Sequence, residues 1–476
     1  IYGLAPPFRN TIKKSLAKHH FSKDELSVIN ALLLGERQEI SKELLQSYTN
    51  AGATHILAIS GLHIGIIFLL LTWILKPLLY FKNGSLTRTF CVVILLWMFA
   101  FIAGLSASVV RAVTMFTFVA VGESFKQKKI IEHSLISSML ILLLFKPLFI
   151  FDVGFQLSYL AVFGIIWIQP LLYNLWIPKY YLLDKFWSLL TVSVAAQIGI
   201  LPISLYYFHQ FPALFFIANL LIIPFLGAIL FVGITVILLS LIDMLPDFLI
   251  DAYSGCIRIM NWIVTWVSHQ ESFLFQEISM SFILMLAWYF LSITLYQTWV
   301  QKSYKNILAT CIAIILLQLI YGYEKHQQNT KKELVVFHKN KKSVLGKRNG
   351  KVIELFTSDE NILQESALKS YRIGEDVLTK KSDSAFNIVS YKNQFILIVD
   401  SLGIYQINNL KNPLVLLQYS PKINLKRLIS TLQPSQIIAD GSNYKSYVKR
   451  WKNTCLQTKI PFYYTEQNGA FNMVKN

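Results

Sequence analysis

Long apolar runs recur along the first two thirds of the chain, and most are as long as a membrane span. A helix needs about 20 apolar residues to cross a hydrocarbon core of about 30 Å. On that measure the chain is expected to have about eight spans, at residues 55–80, 87–105, 107–122, 133–151, 153–176, 186–208, 273–299 and 305–321. The pattern predicts a polytopic α-helical membrane protein.

Two further apolar stretches have a different pattern. The run from 211 to 241 contains Pro224 and Gly227, and such breaks favour two half-helices that form a re-entrant hairpin. Residues 247–270 are amphipathic, with Trp262 and Trp266 four residues apart, which predicts a helix lying in the membrane interface.

The two ends of the chain are less apolar than the membrane domain, which is assigned to residues 54–321. Residues 1–53 place Leu26, Ile29 and Leu33 on one helical face, and they are expected to form short helices on the membrane surface. Residues 322–476, called the tail below, alternate buried-strand patterns with amphipathic helices and predict a soluble α/β domain. The strand patterns cover 334–337, 395–400, 413–418 and 435–440.

The first span carries polar residues that an anchor in lipid does not need: His55, Ser60, Gly61 and His63. Polar groups at membrane depth are costly unless they face a protein interior or a wet cavity. A helix that breaks at Gly61 would free backbone groups to line a path. A tight helix-packing face, in which serine and glycine allow close approach, fits the same residues equally well.

Other polar residues lie in the apolar region as well. Arg111 is the one charge of its span, and it either pairs inside the bundle or faces an anion in a cavity. Gln156 and Gln197 are further candidates for a polar path, and Asp152 is expected to be a helix N-cap.

No catalytic site, metal site or cofactor is predicted. His55 and His63 have no further histidine or carboxylate nearby to complete a metal site. His338 is the only histidine in residues 330–476, so a hydrolytic zinc site built on histidine and carboxylate ligands cannot be assembled there. Asp400 is interpreted as a turn cap. The four cysteines show no paired spacing.

Composition and charge indicate the kind of partner. Hydrophobic residues make up 54% of the chain and charged residues 15%, against about a quarter in soluble domains. The net charge is +18, and residues 322–476 hold 24 Lys and Arg against 12 Asp and Glu. Such an excess suits lipid headgroups or nucleic acid, without choosing between them.

Basic loops predict the orientation, because short cytoplasmic loops are enriched in Lys and Arg. Three clusters should be cytoplasmic: Lys76, Lys82 and Arg88; Lys126, Lys128 and Lys129; Lys302 and Lys305. With a hairpin at 211–241, this count leaves the tail outside the cytoplasm. The lysines at the start of the tail argue for the opposite side, although long domains cross largely regardless of charge.

Three stretches resemble the competence domain of the ComEC family of bacterial DNA-uptake channels. They are HILAISGLHIGII (55–67), GLSASVVRAVTM (104–115) and KPLFIFDVGFQLSYLAVFGI (146–165). The resemblance covers about residues 25–320. It implies a bacterial inner-membrane protein that passes one DNA strand into the cell during natural transformation. A DNA-delivery protein outside and a cytoplasmic helicase or motor are implied as partners, because no phosphate-binding Gly-Lys-Ser/Thr loop is present.

The tail resembles a degenerate metallo-β-lactamase-like domain. ILIVD and IIADGSNYKSYVKRW fit that scaffold, but the His-x-His-x-Asp-His ligand motif is absent. The departure predicts a tail without nuclease activity. The family usually carries an oligonucleotide-binding-like domain ahead of the competence domain. Because that domain is missing and the chain starts at Ile1, the sequence is expected to be part of a longer protein.

The sequence therefore favours a channel for single-stranded DNA that moves through a wet, weakly cationic path without sequence recognition. The candidates for the path are His55, Ser60, Gly61, His63, Arg111, Gln156 and Gln197. The alternative is a small-solute or lipid-linked secondary transporter with broken helices. A membrane-embedded enzyme using His55 or His63 lacks partner residues. The sequence leaves the oligomeric state open.

Overall fold

The computed structural model describes residues 5–125, 130–357, 362, 365–382, 387–391, 394–407, 410 and 412–474. The chain divides into two compact units, Ile1–Ile278 and Ser279–Asn476. The second unit contains the last two apolar helices as well as the tail, so its boundary differs from the boundary at residue 321 that was predicted from the sequence. The basic cluster Lys126, Lys128 and Lys129 lies outside the described residues.

The first unit is helical. Its helices are α1 (Ala5–Leu16), α2 (Lys23–Ile29), α3 (Lys42–Asn50), α4 (Thr54–Leu57), α5 (Gly61–Ile74), α6 (Gly84–Ile102), α7 (Ala107–Ser124), α8 (Ile130–Phe145), α9 (Val153–Tyr173), α10 (Tyr181–Phe208), α11 (Phe215–Leu241) and α12 (Asp247–Ser268). Two-residue strands, β1 (Phe211–Pro212) and β2 (Leu274–Phe275), pair antiparallel at the edge of the unit.

The second unit starts with two helices and continues into sheets. Its helices are α13 (Phe282–Val300), α14 (Tyr304–Thr330), α15 (Ser366–Gly374), α16 (Leu425–Leu432), α17 (Lys445–Thr458) and α18 (Thr465–Asn468). Its strands are β3 (Lys332–Phe337), β4 (Val344–Asn349), β5 (Val352–Phe356), β6 (Leu378–Ser382), β7 (Ile388–Tyr391), β8 (Gln394–Val399), β9 (Leu414–Leu417), β10 (Gln436–Ala439), β11 (Phe462–Tyr464) and β12 (Phe471–Val474).

Seven of the described helices are long and apolar enough to cross a membrane: α6, α7, α9, α10, α11, α13 and α14. The shorter helices α5 and α8 are apolar too. The prediction of a polytopic helical membrane protein is therefore confirmed, whereas the count of about eight spans stays a prediction. The tail folds into two five-stranded sheets, in the orders β11-β10-β9-β8-β7 and β12-β3-β4-β5-β6.

The re-entrant hairpin expected at 211–241 is replaced by the single helix α11, which runs through Pro224 without interruption. A proline removes only one backbone donor, whereas a turn at membrane depth would leave several polar groups without partners. A Cβ at Gly227 would meet only the side chain of Ile66, at 3.6 Å, so this glycine does not mark a turn.

The amphipathic segment at 1–53 is not confined to a surface, contrary to the prediction. Helix α2 continues into a π-helical turn, Asn30–Leu34, whose side chains are all buried. Val28 and Ile29 belong with that turn to a hydrophobic core that also contains residues of α11 and α12. The pattern identified an apolar face correctly, but protein rather than lipid covers it.

Helix α12 has the amphipathic form that was predicted. Its inner face, including Tyr253 and Ile257, is fully buried in the same core. Trp262 and Trp266 are exposed on its outer face. Its location in the membrane interface stays a prediction.

Candidate functional site at the break in the first span

The first apolar run is broken, as the sequence predicted. Helix α4 ends at Leu57, and α5 begins at Gly61. Between them, Ala58 and Ser60 have extended backbone conformations. A Cβ at Gly61 would have no neighbour within 4 Å, so lack of space for a side chain does not cause the break.

A hydrogen-bonded pair of side chains holds the break in place. The Nδ1 atom of His63 lies 3.0 Å from the hydroxyl oxygen of Ser60 and 3.4 Å from its backbone nitrogen. Ser60 precedes the first turn of α5, and His63 reaches back to it, so the two residues form a capping box. Because the His63 side chain is fully buried, the contacts that fix the start of α5 are shielded from solvent.

Neighbouring elements surround the backbone of the break. The Ser108 hydroxyl, on α7, donates to the Ile59 carbonyl at 3.1 Å. Gly35, with a φ of +75°, ends the π-helical turn, and a Cβ there would lie 3.0 Å from the Ala103 carbonyl oxygen and 3.4 Å from the Ile59 side chain. The freed carbonyl is thus satisfied by protein, which removes one cost of interrupting a helix at membrane depth.

His55 marks a recess beside the break. Protein surrounds this residue closely, yet its side chain is exposed. A side chain that is exposed to solvent although protein surrounds it borders a recess that water can enter.

Arg111 and Asp152 form a second polar cluster, next to the start of α5. The side chain of Arg111 is buried, and its Nη1 atom is 3.1 Å from Oδ1 of Asp152. The guanidinium group also lies 6.0 Å from the centre of the Phe155 ring. A small cavity is lined by Gly61, Arg111, Ala112, Met115, Leu135, Ser158, Tyr159 and Val162. The cavity places Arg111 beside Gly61, one residue beyond the break.

The two glutamines are separate from this group. The Gln156 amide donates to the Ile150 carbonyl at 2.7 Å, which ties the turn before α9 to that helix. Gln197 is half-buried in α10, and no hydrogen bond among the described residues joins it to the other candidates. Asp152 accepts from the Phe155 amide at 2.7 Å, so its predicted role as an N-cap is confirmed.

Sequence reasoning missed Arg37, Ser108 and Tyr159. Ser108 and Arg111 are three residues apart on one helix, a spacing that puts them on one face and that could have identified Ser108. Arg37 lies in a mixed-charge segment, and nothing local distinguishes it from the neighbouring cations.

In the tail, polar residues gather where β3 and β10 end. His338 follows β3, and its Nδ1 atom lies 3.0 Å from the Thr465 hydroxyl oxygen. Asp440 follows β10 and is fully buried; its Oδ1 atom accepts from the Ser442 amide at 3.0 Å. Burial raises the pKa of the Asp440 carboxyl to about 6. Among the residues that the structure describes, no three His, Cys, Asp or Glu side chains are grouped to hold a metal ion.

Asp400 has the structural role that was expected of it. Its Oδ1 atom accepts from the Leu402 amide at 3.0 Å, and its carbonyl accepts from the Gly403 amide. These bonds close the turn that follows β8.

Comparison with known proteins gives consistent matches for both parts of the chain. A family model described as competence protein matches residues 32–302, more than half of the chain. A second model, described as ComEC C-terminal domain, matches residues 334–475. No solved structure matches the chain significantly.

Two curated relatives are similar to parts of the chain. ComE operon protein 3 of Bacillus subtilis (strain 168) is 28% identical over 322 residues, which cover 64% of this chain and 40% of the relative. Competence protein ComA of Neisseria gonorrhoeae is 28% identical over 150 residues, which cover 30% of this chain and 21% of the relative. The chain thus matches less than half the length of each relative.

Proposed function

Because this chain belongs to the competence protein family, we propose that it forms an inner-membrane channel for single-stranded DNA during natural transformation. The observation that carries the proposal is the broken first span, in which His55 stays exposed although protein surrounds it. A helix that only anchors a protein has no use for an interrupted backbone and a wet recess at this depth.

The proposed path starts at the recess and continues past the cavity beside Arg111. His55, Ser60 and the backbone of the break offer polar contacts, and Arg111 of α7 supplies positive charge beside Gly61, where α5 begins. Such groups attract the phosphate backbone without reading bases, so transport would be independent of sequence. Gln156 and Gln197 contribute less to this path, because one caps a turn and the other lies apart.

A small-solute or lipid-linked secondary transporter is the second candidate. The pocket shared by Gly61 and Arg111 favours it, because transporters bind their substrate beside a break in a helix. A DNA channel instead requires a continuous polar track between both faces of the membrane. Measuring DNA entry separates the two.

The test is uptake of labelled DNA into the cytoplasm of a deletion strain that is complemented with this chain within its full-length protein. His63→Leu and Arg111→Ala should abolish protection of the DNA from external nuclease while the protein inserts at normal levels. Arg111→Lys should keep part of the activity, because a phosphate contact needs charge first and fork geometry second. Normal uptake with His63→Leu would remove the first span from the path.

We propose further that the tail is not a nuclease. Support comes from the residues around His338 and Asp440, which lack the other ligands of a hydrolytic zinc site. The purified protein should contain no stoichiometric zinc and should leave DNA intact with Mg²⁺, Mn²⁺ or Zn²⁺ present. A tightly bound metal together with metal-dependent cleavage would contradict this proposal.

The side of the membrane on which the tail lies depends on the number of crossings. The extracytoplasmic placement depended on a hairpin at 211–241, and one crossing by α11 reverses the count. Counting α5 and α8 with the seven longer described helices gives nine crossings. If the loop at Lys76 and Lys82 is cytoplasmic, the tail is then cytoplasmic too, in agreement with the lysines at its start. The same count puts the loop at Lys302 and Lys305 outside, opposite to the side that its two lysines predicted.

We therefore propose a cytoplasmic tail. Lys449→Cys places a thiol on the exposed face of α17, and an impermeant maleimide added to intact cells should label it only after the membrane is opened. Labelling of intact cells would restore the extracytoplasmic placement. The proposed partners are single-stranded DNA, membrane lipids, a DNA-delivery protein outside and a helicase or motor inside.

A further inference from the structure

A cation at the edge of the break has no counterion among the described residues. Arg37 lies in the turn that follows Gly35, and Gly35 packs against Ile59 of the break and against Ala103. Arg37 and His55 both act electrostatically on the buried side chain of His63, so the three residues are close together. The segment that was expected on the membrane surface thus reaches the break in the first span.

The acidic neighbours of Arg37 are neutralised by other cations. Glu36 pairs with Arg9 at 3.4 Å and with Lys13 at 2.9 Å. Glu39 also pairs with Lys13, at 2.7 Å. The guanidinium group of Arg37 forms no ion pair or side-chain hydrogen bond with the described residues, so its charge is not compensated locally.

The surroundings of Arg37 match those of His55. Its side chain is exposed, yet protein around it partly desolvates the guanidinium group. An exposed cation in a concave protein surface attracts anions more strongly than one on an open surface, because low-dielectric walls focus the field. Arg37 therefore makes the mouth of the recess electropositive.

From these observations we propose that Arg37 binds the phosphodiester backbone of single-stranded DNA at the mouth of the path. This proposal rests on the proposed function and adds a residue to it. A guanidinium group can bind two phosphate oxygens at once, and a single contact is weak enough to release the strand as the next phosphate arrives.

A lipid headgroup carries the same phosphodiester chemistry, but it is bound to acyl chains that need apolar surface beside the cation. Arg37 is followed by the exposed polar residues Gln38 and Glu39, and the next residue, Ile40, is buried. The imidazole of His55 is a further polar group at the recess. These polar surroundings favour DNA over lipid.

The experiment measures binding of a fluorescent oligothymidylate to the full chain in phosphatidylcholine nanodiscs at several salt concentrations. Arg37→Gln should weaken binding and lower the slope of log affinity against log salt by about 0.7, the value for one phosphate contact with a single strand. Arg37→Lys should keep the slope. Lys42→Gln is the matched control, since Lys42 is an exposed cation of the same segment, and it should leave binding unchanged.

Wild-type affinity and slope in Arg37→Gln would overturn the proposal while leaving the channel intact. An effect of Arg37→Gln that occurs only when phosphatidylglycerol is added to the nanodiscs would overturn it in favour of a lipid headgroup. Absence of both oligonucleotide binding and DNA uptake in the wild type would instead remove the proposed function, and this inference with it. Arg37→Lys guards against misfolding, because it keeps the charge at nearly the same length.

Discussion

The carboxylate of Asp152 connects two helices through one oxygen. Oδ1 accepts from Arg111 Nη1 at 3.1 Å and from the Phe155 amide at 2.7 Å, so the counterion of Arg111 is also the N-cap of α9. The two partners differ in their access to solvent: the side chain of Arg111 is 4% exposed and that of Asp152 is 43% exposed. Because only one partner of this ion pair is buried, removing Arg111 and removing Asp152 should change the stability of the protein by different amounts.

Asp152→Ala should destabilise the membrane unit more than Arg111→Ala. The first change leaves a buried cation without its partner, which costs about 3 kcal/mol or more, and removes an N-cap worth about 1 kcal/mol. The second leaves a carboxylate that water can reach. Thermal unfolding of the purified protein in detergent measures both, and a larger loss with Arg111→Ala would mean that the arginine chiefly serves packing.

Close packing of α9 against α10 depends on two glycines. A Cβ at Gly164 would lie 2.6 Å from the Ala195 carbonyl oxygen, and one at Gly199 would lie 2.5 Å from the Leu160 carbonyl oxygen. Because backbone atoms cannot rotate away, Gly199→Ala should cost about 1–3 kcal/mol and lower the amount of folded protein. The control is Gly255→Ala on α12, where a Cβ has no neighbour within 4 Å. Equal protein levels for the two variants would contradict the contact.

Helix α17 is expected to carry the DNA affinity of the tail. Lys449 and Arg450 are exposed, and the Arg450 guanidinium lies 4.6 Å from the centre of the Tyr447 ring, beside the exposed ring of Tyr444. Cations next to aromatic faces suit weak binding of single strands without sequence preference. Removing each of these two charges should lower the salt slope for an oligothymidylate by about 0.7.

The matched control on the same helix is Lys445→Ala, because Lys445 already pairs with Glu466 at 2.6 Å. It should change the slope less than Lys449→Ala. Oligonucleotide binding that does not depend on salt would argue against a role of the tail in DNA handling.

The buried carboxyl of Asp440 should make the stability of the tail depend on pH. Burial raises its folded-state pKa to about 6 from an ordinary value of 3.8. The folded state therefore binds its proton more tightly than the unfolded state. Stability is highest below about pH 4 and falls as the pH rises towards 6, by an amount of the order of 3 kcal/mol.

Asp440→Asn should abolish this loss, since an amide keeps an acceptor oxygen for the Ser442 amide without a charge. Hydrogen exchange of β10 and α17 in the full chain, compared at pH 4.5 and pH 7, measures the effect. Protection that increases with pH in the wild type would contradict the direction of the pKa shift.

Local patterns in the sequence determined most of the membrane architecture. The length of each apolar run identified the helices, since a bilayer sets their minimum length. The polar residues of the first span predicted its break. The N-cap of α9 at Asp152 and the turn after β8 were recognised from the capping chemistry of aspartate. The strand patterns likewise predicted an α/β tail.

Only the tertiary structure decided which surfaces these patterns meet. An apolar face can be covered by lipid or by protein, and periodicity does not distinguish the two, which is why the helix ending in Leu34 was expected on a surface but lies in a core. Whether Pro224 ends a helix depends on whether the backbone groups around it find hydrogen-bond partners in the folded protein. The pairing of Arg111 with Asp152 and the uncompensated charge of Arg37 arise from residues far apart in the chain, because charges are balanced in space rather than along the sequence.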